Sequence, residues 1–69
     1  MNDYDLKADA RGELIIVTEP SIGFFAVYGK EPGTPQLLLK NRAPTKDHTL
    51  LAAAWQAAVA KARSLGWLV

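Results

Sequence analysis

The 69-residue chain has no cysteine and a single histidine. Disulfides and thiolate metal sites are therefore excluded, and so is a histidine-rich metal site. A domain this short buries roughly 60% of its unfolded surface, which leaves it marginal. The usual remedies are disulfides, a metal, or a partner chain. Only the partner remains, unless the core is unusually good. Long hydrophobic runs are missing too. The longest apolar stretch is Leu50–Trp55, against the ~20 residues that span a bilayer. The opening Met1-Asn2-Asp3-Tyr4-Asp5 carries no basic stretch with an apolar run behind it. No secretory signal is expected. A cytoplasmic location without a membrane partner is the expectation.

Hydrophobic residues make up 49% of the chain, which suits a globular protein and is too many for disorder. The net charge of +1 hides an asymmetry. Residues 1–31 hold six acids against three bases, a net −3, and residues 32–69 hold five bases against Asp47 alone, a net +4. Opposite halves complement each other within one fold or between two copies.

The pattern predicts one α+β domain over 1–69. Its core is a three-stranded antiparallel β-meander packed against one C-terminal α-helix. Tyr4, Leu6 and Ala8 alternate with Asp5, Lys7 and Asp9. Residues 1–12 thus read either as a flexible tail or as a short fourth, edge strand turning at Arg11-Gly12. Glu13–Thr18 is rich in β-branched residues and reads as a strand. Pro20 breaks it. Gly23–Gly29 is the next strand, residues 30–35 form a proline- and glycine-rich turn, and Gln36–Lys40 is the last. A helix then opens at Thr45 or Asp47, either of which can cap free amides. Leu51, Trp55, Ala58, Val59, Ala62 and Leu65 recur at helical spacing. Gly66 stands where a left-handed cap is expected, with Trp67 folding back on the last turn.

These strands carry apolar residues on both sides, yet one helix covers only one face of a sheet. Glu13 and Glu19 share a side with Ile15 and Val17, and Gln36 and Lys40 share one with Leu38. On that ground Leu14, Ile16, Phe25, Val27, Leu37 and Leu39 are expected to face the helix. Ile15, Val17, Phe24, Tyr28 and Leu38 are expected on the open face, as the candidate interface. Burying about 300–500 Å² of such surface is worth roughly 7–12 kcal/mol gross, much of it offset by association entropy.

No chemical motif stands out. A nucleophile needs a base and an orienting group. Ser21 and Ser64 fall in a turn and at a helix end, and His48 lies in the first turn of the helix. Asp3, Asp5 and Asp9 open like a calcium loop, but the glycine and final glutamate it needs are missing. No catalytic residue, metal ligand or cofactor is expected, and the chain does not read as an enzyme.

Three strands followed by a helix is similar in layout to integrase arm-binding domains, and to the later part of a double-stranded-RNA-binding domain. The likeness is one of element order. Those DNA-binding sheets carry basic and aromatic residues on the exposed face, whereas the strand interiors here are apolar. The RNA-binding domain opens its last helix with a lysine cluster, whereas Lys46 stands alone before Asp47. Lys40, Arg42 and Lys46 still make a basic loop able to touch phosphates. The sequence therefore points first to a protein–protein interaction module, a homodimer or one bound to a protein partner. Nucleic-acid binding through Lys40, Arg42 and Lys46 is the alternative.

Overall fold

In the computed structural model, residues 5–31 and 37–67 are described. Four strands, β1 (Lys7–Arg11), β2 (Leu14–Glu19), β3 (Phe24–Lys30) and β4 (Leu37–Arg42), precede one helix, α1 (His48–Ser64). The strands lie in the order β1-β2-β3-β4, all neighbours antiparallel. This is the expected α+β meander, with residues 7–11 joining it as an edge strand. Short connections dictate it, since antiparallel neighbours need only tight turns. Gly12-Glu13 joins β1 to β2, with Arg11 opposite Leu14 and Gly12 at φ +60°. Glycine at the first position of a two-residue turn suits the twist of a hairpin. The expected turn at 30–35 falls mostly on residues outside those described, as do Tyr4 and Gln36.

Alternation along the strands decides the core. Ile15, Val17, Phe24, Ala26 and Tyr28 are buried on one face, with Leu37 at the rim. Against them α1 buries Leu50, Ala54, Ala58 and Ala62. The spacing of four puts these side chains in one row. The helix lies across β1 and β2. Leu39, on the same side of the sheet but in β4, stays largely exposed. Trp55 reaches over Tyr28, ring centroids 5.6 Å apart and planes at 60°, an edge-on geometry favourable to aromatic pairs.

Two expectations are corrected here. The face assignment holds for Leu37, Leu38 and Leu39 of β4 but is inverted for β2 and β3: Ile15, Val17, Phe24 and Tyr28 form the core, and Leu14, Ile16, Phe25 and Val27 lie on the side away from the helix. The cause is Glu19, used as a marker of the open face but only 2% exposed. Its carboxylate is satisfied locally. One oxygen accepts from the Ser21 amide (3.1 Å) and hydroxyl (2.7 Å), and the other accepts from the Asp5 amide. It thereby caps the one-turn 3₁₀ helix Pro20–Ile22, and a carboxylate so bonded can be buried. The helix seat is also shifted. Trp55 and Leu65 remain largely exposed while alanines face the sheet. Small side chains let the helix approach closely, so the large residues do not mark the buried face.

The ends of α1 are as expected. Asp47 accepts from the Leu50 amide at 3.0 Å. At the other end Gly66 has φ +77°. Its amide donates to the Arg63 carbonyl and the Trp67 amide to that of Ala62, at 3.0 and 2.9 Å. These two bonds are a Schellman cap, and Trp67 packs partly buried against the core.

The hydroxyl of Ser21, then the Ser21 and Asp5 amides and the Lys7 charge, hold the Glu19 carboxyl below the usual glutamate range despite its desolvation. A carboxyl depressed by folding stabilises the fold above its unfolded pKa and loses that contribution as pH falls through the folded value. Urea melts should therefore show stability declining below about pH 4.3. Glu19→Gln should be weaker than wild type near neutrality, with the gap closing in acid. A gap independent of pH would contradict this role.

Candidate functional site

Strand register lays out the helix-free face as rows. Lys7 pairs with Thr18, and Thr18 with Phe25. Asp9, Ile16, Val27 and Asn41 form the next row. Arg11, Leu14, Gly29 and Leu38 form the third. Paired residues point to the same side of a sheet. Leu14, Phe25 and Leu38 are 38%, 38% and 42% exposed, and Ile16 and Val27 between them are half-buried. Five apolar side chains thus make a continuous stripe over β2, β3 and β4 that no element of the described residues covers.

The border of that stripe is mostly basic. β1 supplies Lys7, Asp9 and Arg11, all exposed. At the β3/β4 boundary the register skips one residue, because Val27 pairs with Asn41 but Tyr28 with Leu39. Lys40 is the extra residue of this bulge. Its side chain fills the space a β-carbon on Gly29 would take. Such a carbon would lie 2.6 Å from Lys40 Cε and 3.4 Å from Leu14 Cδ2. The lysine stem thus lies on the apolar stripe near Leu14, as long basic side chains do when they cover apolar surface.

Of the five candidate interface residues, only Leu38 lies on the open face. The three basic candidates do not converge. Lys40 is on the helix-free face. Arg42 pairs with Ala26 on the helix side. There burial pushes the Tyr28 hydroxyl pKa up, and the Arg42 charge opposes the shift. The Arg42 Nη1 donates to the Ala43 carbonyl at 3.3 Å. Lys46 is exposed in the segment before α1. Sequence reasoning missed Leu14, Ile16, Phe25 and Val27 as surface residues. It also missed Lys7 and Arg11 as their basic neighbours. The available signal was the Gly12-Glu13 turn, which sets the charged side of β1 beside Leu14 and Ile16.

The hydroxyl of Ser21 donates to Glu19 and that of Ser64 to the Lys61 carbonyl at 2.7 Å. His48 is exposed at the start of α1. Among the described residues, no three of His, Cys, Asp and Glu come together as a metal site, and no helix is long and apolar enough to cross a membrane. A shallow groove on the outer side of α1 is lined by Trp55, Gln56, Val59, Ala60 and Arg63. What the molecule offers is an apolar sheet face with a basic border. No family model, curated protein or solved structure matches the chain.

Proposed function

We propose that the chain is a small, non-enzymatic protein–protein interaction module whose docking surface is the helix-free sheet face. The occupant is a protein presenting apolar side chains ringed by acidic groups. One observation carries this: Leu14, Phe25 and Leu38 stand exposed on one stripe, bordered by Lys7, Arg11 and Lys40, with Asp9 between the first two and Asp5 beyond Lys7. Contiguous apolar surface of several hundred Å² usually marks an interaction site. A second copy is a poorer occupant, because face-to-face packing sets this basic border against itself.

Exposed aromatics on such a patch are typical anchors, and Phe25 is the aromatic of this stripe, at its Thr18 end. A protein captured by wild type should, once purified and titrated calorimetrically, lose about 100-fold in affinity with Phe25→Glu, the size of a hot-spot loss. Lys46→Glu, off this face, should change little. Added salt should weaken binding by slowing association. If no ligand distinguishes Phe25→Glu from wild type, the face is not the docking surface.

The same bases, with Lys7 in the row of Phe25 and Arg11 and Lys40 at the other end of the stripe, favour one second reading, nucleic acid laid on this face. Three phosphate contacts give a log–log salt slope of about −2 to −3. Fluorescence anisotropy with mixed-sequence DNA and RNA tests it. No binding near ~50 mM salt ends it, since counterion release is strongest there.

A further inference from the structure

The two edges of the sheet are built differently. β4 is interrupted by its bulge and carries Lys40 and Arg42, charges of one sign. Bulges and like charges are how edges avoid pairing with other strands. β1 has neither. Its pairing with β2 is regular at every residue from Lys7 to Arg11.

The tight Gly12-Glu13 turn makes Arg11 and Leu14 a hydrogen-bonded pair, so alternation bonds Asp9 and Lys7 to β2 as well. The Lys30 amide donates to the Glu13 carbonyl at 3.1 Å. That puts Glu13 on the β3 side and fixes the same phase. Ala8 and Ala10 therefore turn their N–H and C=O groups outward along an edge that no strand among the described residues pairs.

We propose that β1 pairs antiparallel with β1 of a second copy, about a two-fold axis through Ala8. Ala8 then faces Ala8, Lys7 faces Asp9, and Asp5 faces Arg11. Charges along the edge alternate as Asp5, Lys7, Asp9 and Arg11. In this register every charge meets its opposite, and each opposed pair occurs twice. Slipping by two residues one way sets Asp9 on Asp9 and Lys7 on Arg11. Slipping the other way sets Lys7 on Lys7 and Asp5 on Asp9. Slipping by one residue reverses the faces. The charges therefore admit one register and oppose its neighbours, the use of repulsion that specificity requires. On the helix side Ala8 meets Ala8, and the exposed Ala10 meets Leu6, which already packs on the core. About six main-chain hydrogen bonds form, from Ala8 to Ala8 and from Leu6 to Ala10 twice over. The contact is isologous and closes. It joins two sheets edge to edge into one of eight strands and leaves the apolar stripe and Lys40 of each helix-free face open to the partner proposed above, while Lys7 and Arg11 pair across the two-fold.

Sedimentation equilibrium of the full chain tests this. Wild type should be a dimer at micromolar concentration. Lys7→Glu and Asp9→Lys, each replacing two attractive pairs by two repulsive ones, should each raise the dissociation constant about tenfold or more. The double variant Lys7→Glu/Asp9→Lys restores opposite charges and should return to within about threefold of wild type. Ala8→Pro removes an outward N–H and should abolish the dimer, with circular dichroism reporting a folded monomer. Phe25→Glu should leave the dimer intact, which separates this contact from the sheet face. A wild-type monomer at all concentrations overturns the proposal. So does a double variant no tighter than the single ones, or a dimer lost with Phe25→Glu.

Discussion

Replacing Ile15 with alanine should cost about 2–5 kcal/mol, the range for truncating a buried aliphatic side chain. Ile15 has no exposed surface and sits between the helix and strands β1 and β3. Its loss leaves a cavity under alanines too short to fill it. Small domains are stable by only about 5–15 kcal/mol in all, and a 69-residue chain belongs near the bottom of that range. Ile15→Ala should therefore leave only about 0–3 kcal/mol of stability, enough at the upper end of the loss to unfold a large fraction of the molecules. Leu14→Ala, one residue away, should cost under about 1 kcal/mol, because the side chain already meets solvent and leaves no closed cavity. Urea denaturation compares the two. Equal losses would mean the strand is not sided as described.

Ala58→Leu should destabilise by about 1–3 kcal/mol or more through overpacking. Ala54, Ala58 and Ala62 are fully buried, so α1 rests on the sheet at alanine distance. A leucine at the middle of that row must lift the helix or distort the β1 and β2 residues it rests on. Ala52→Leu, on an exposed part of the same helix, should stay within about ±0.5 kcal/mol. Thermal melts distinguish the two, since a 1 kcal/mol loss shifts the midpoint by roughly 4–8 °C in a domain of this size.

These expectations follow from which side of each strand is covered, and that was the least legible part of the sequence. Order and type of the elements were readable, because Gly12, Pro20, Gly23 and Gly66 punctuate runs whose composition is distinctive. The cap at Asp47 and the glycine at the helix end were readable for the same local reason. Sidedness is not local. Ile15 and Ile16 have the same chemistry, and the polar marker chosen between them, Glu19, is buried because Ser21 and Asp5 satisfy it. The helix misled in a related way. Its alanines run around much of the cylinder, so Trp55 and Leu65 suggested a seat that close packing gives to Ala54, Ala58 and Ala62. The missing information lay in β1. Once Gly12-Glu13 is taken as a two-residue turn, Lys7, Asp9 and Arg11 must lie beside Thr18, Ile16 and Leu14. Three exposed charges then identify the open face.

The open face and the β1 edge divide the surface between them. The face offers apolar contact with a basic border. The edge offers main-chain hydrogen bonds with a self-complementary run of charge. Two copies paired at β1 as proposed would present two such faces side by side, so that a partner with two sites would gain avidity without a new contact.

The sidedness of the sheet is tested most directly by thiol labelling, since a chain without cysteine accepts single probes cleanly. Leu14→Cys, Phe25→Cys and Leu38→Cys should each react in the native protein nearly as fast as in urea. Ile15→Cys and Val17→Cys should be protected until the domain opens. Rapid native labelling at Ile15→Cys with protection at Leu14→Cys would contradict the account.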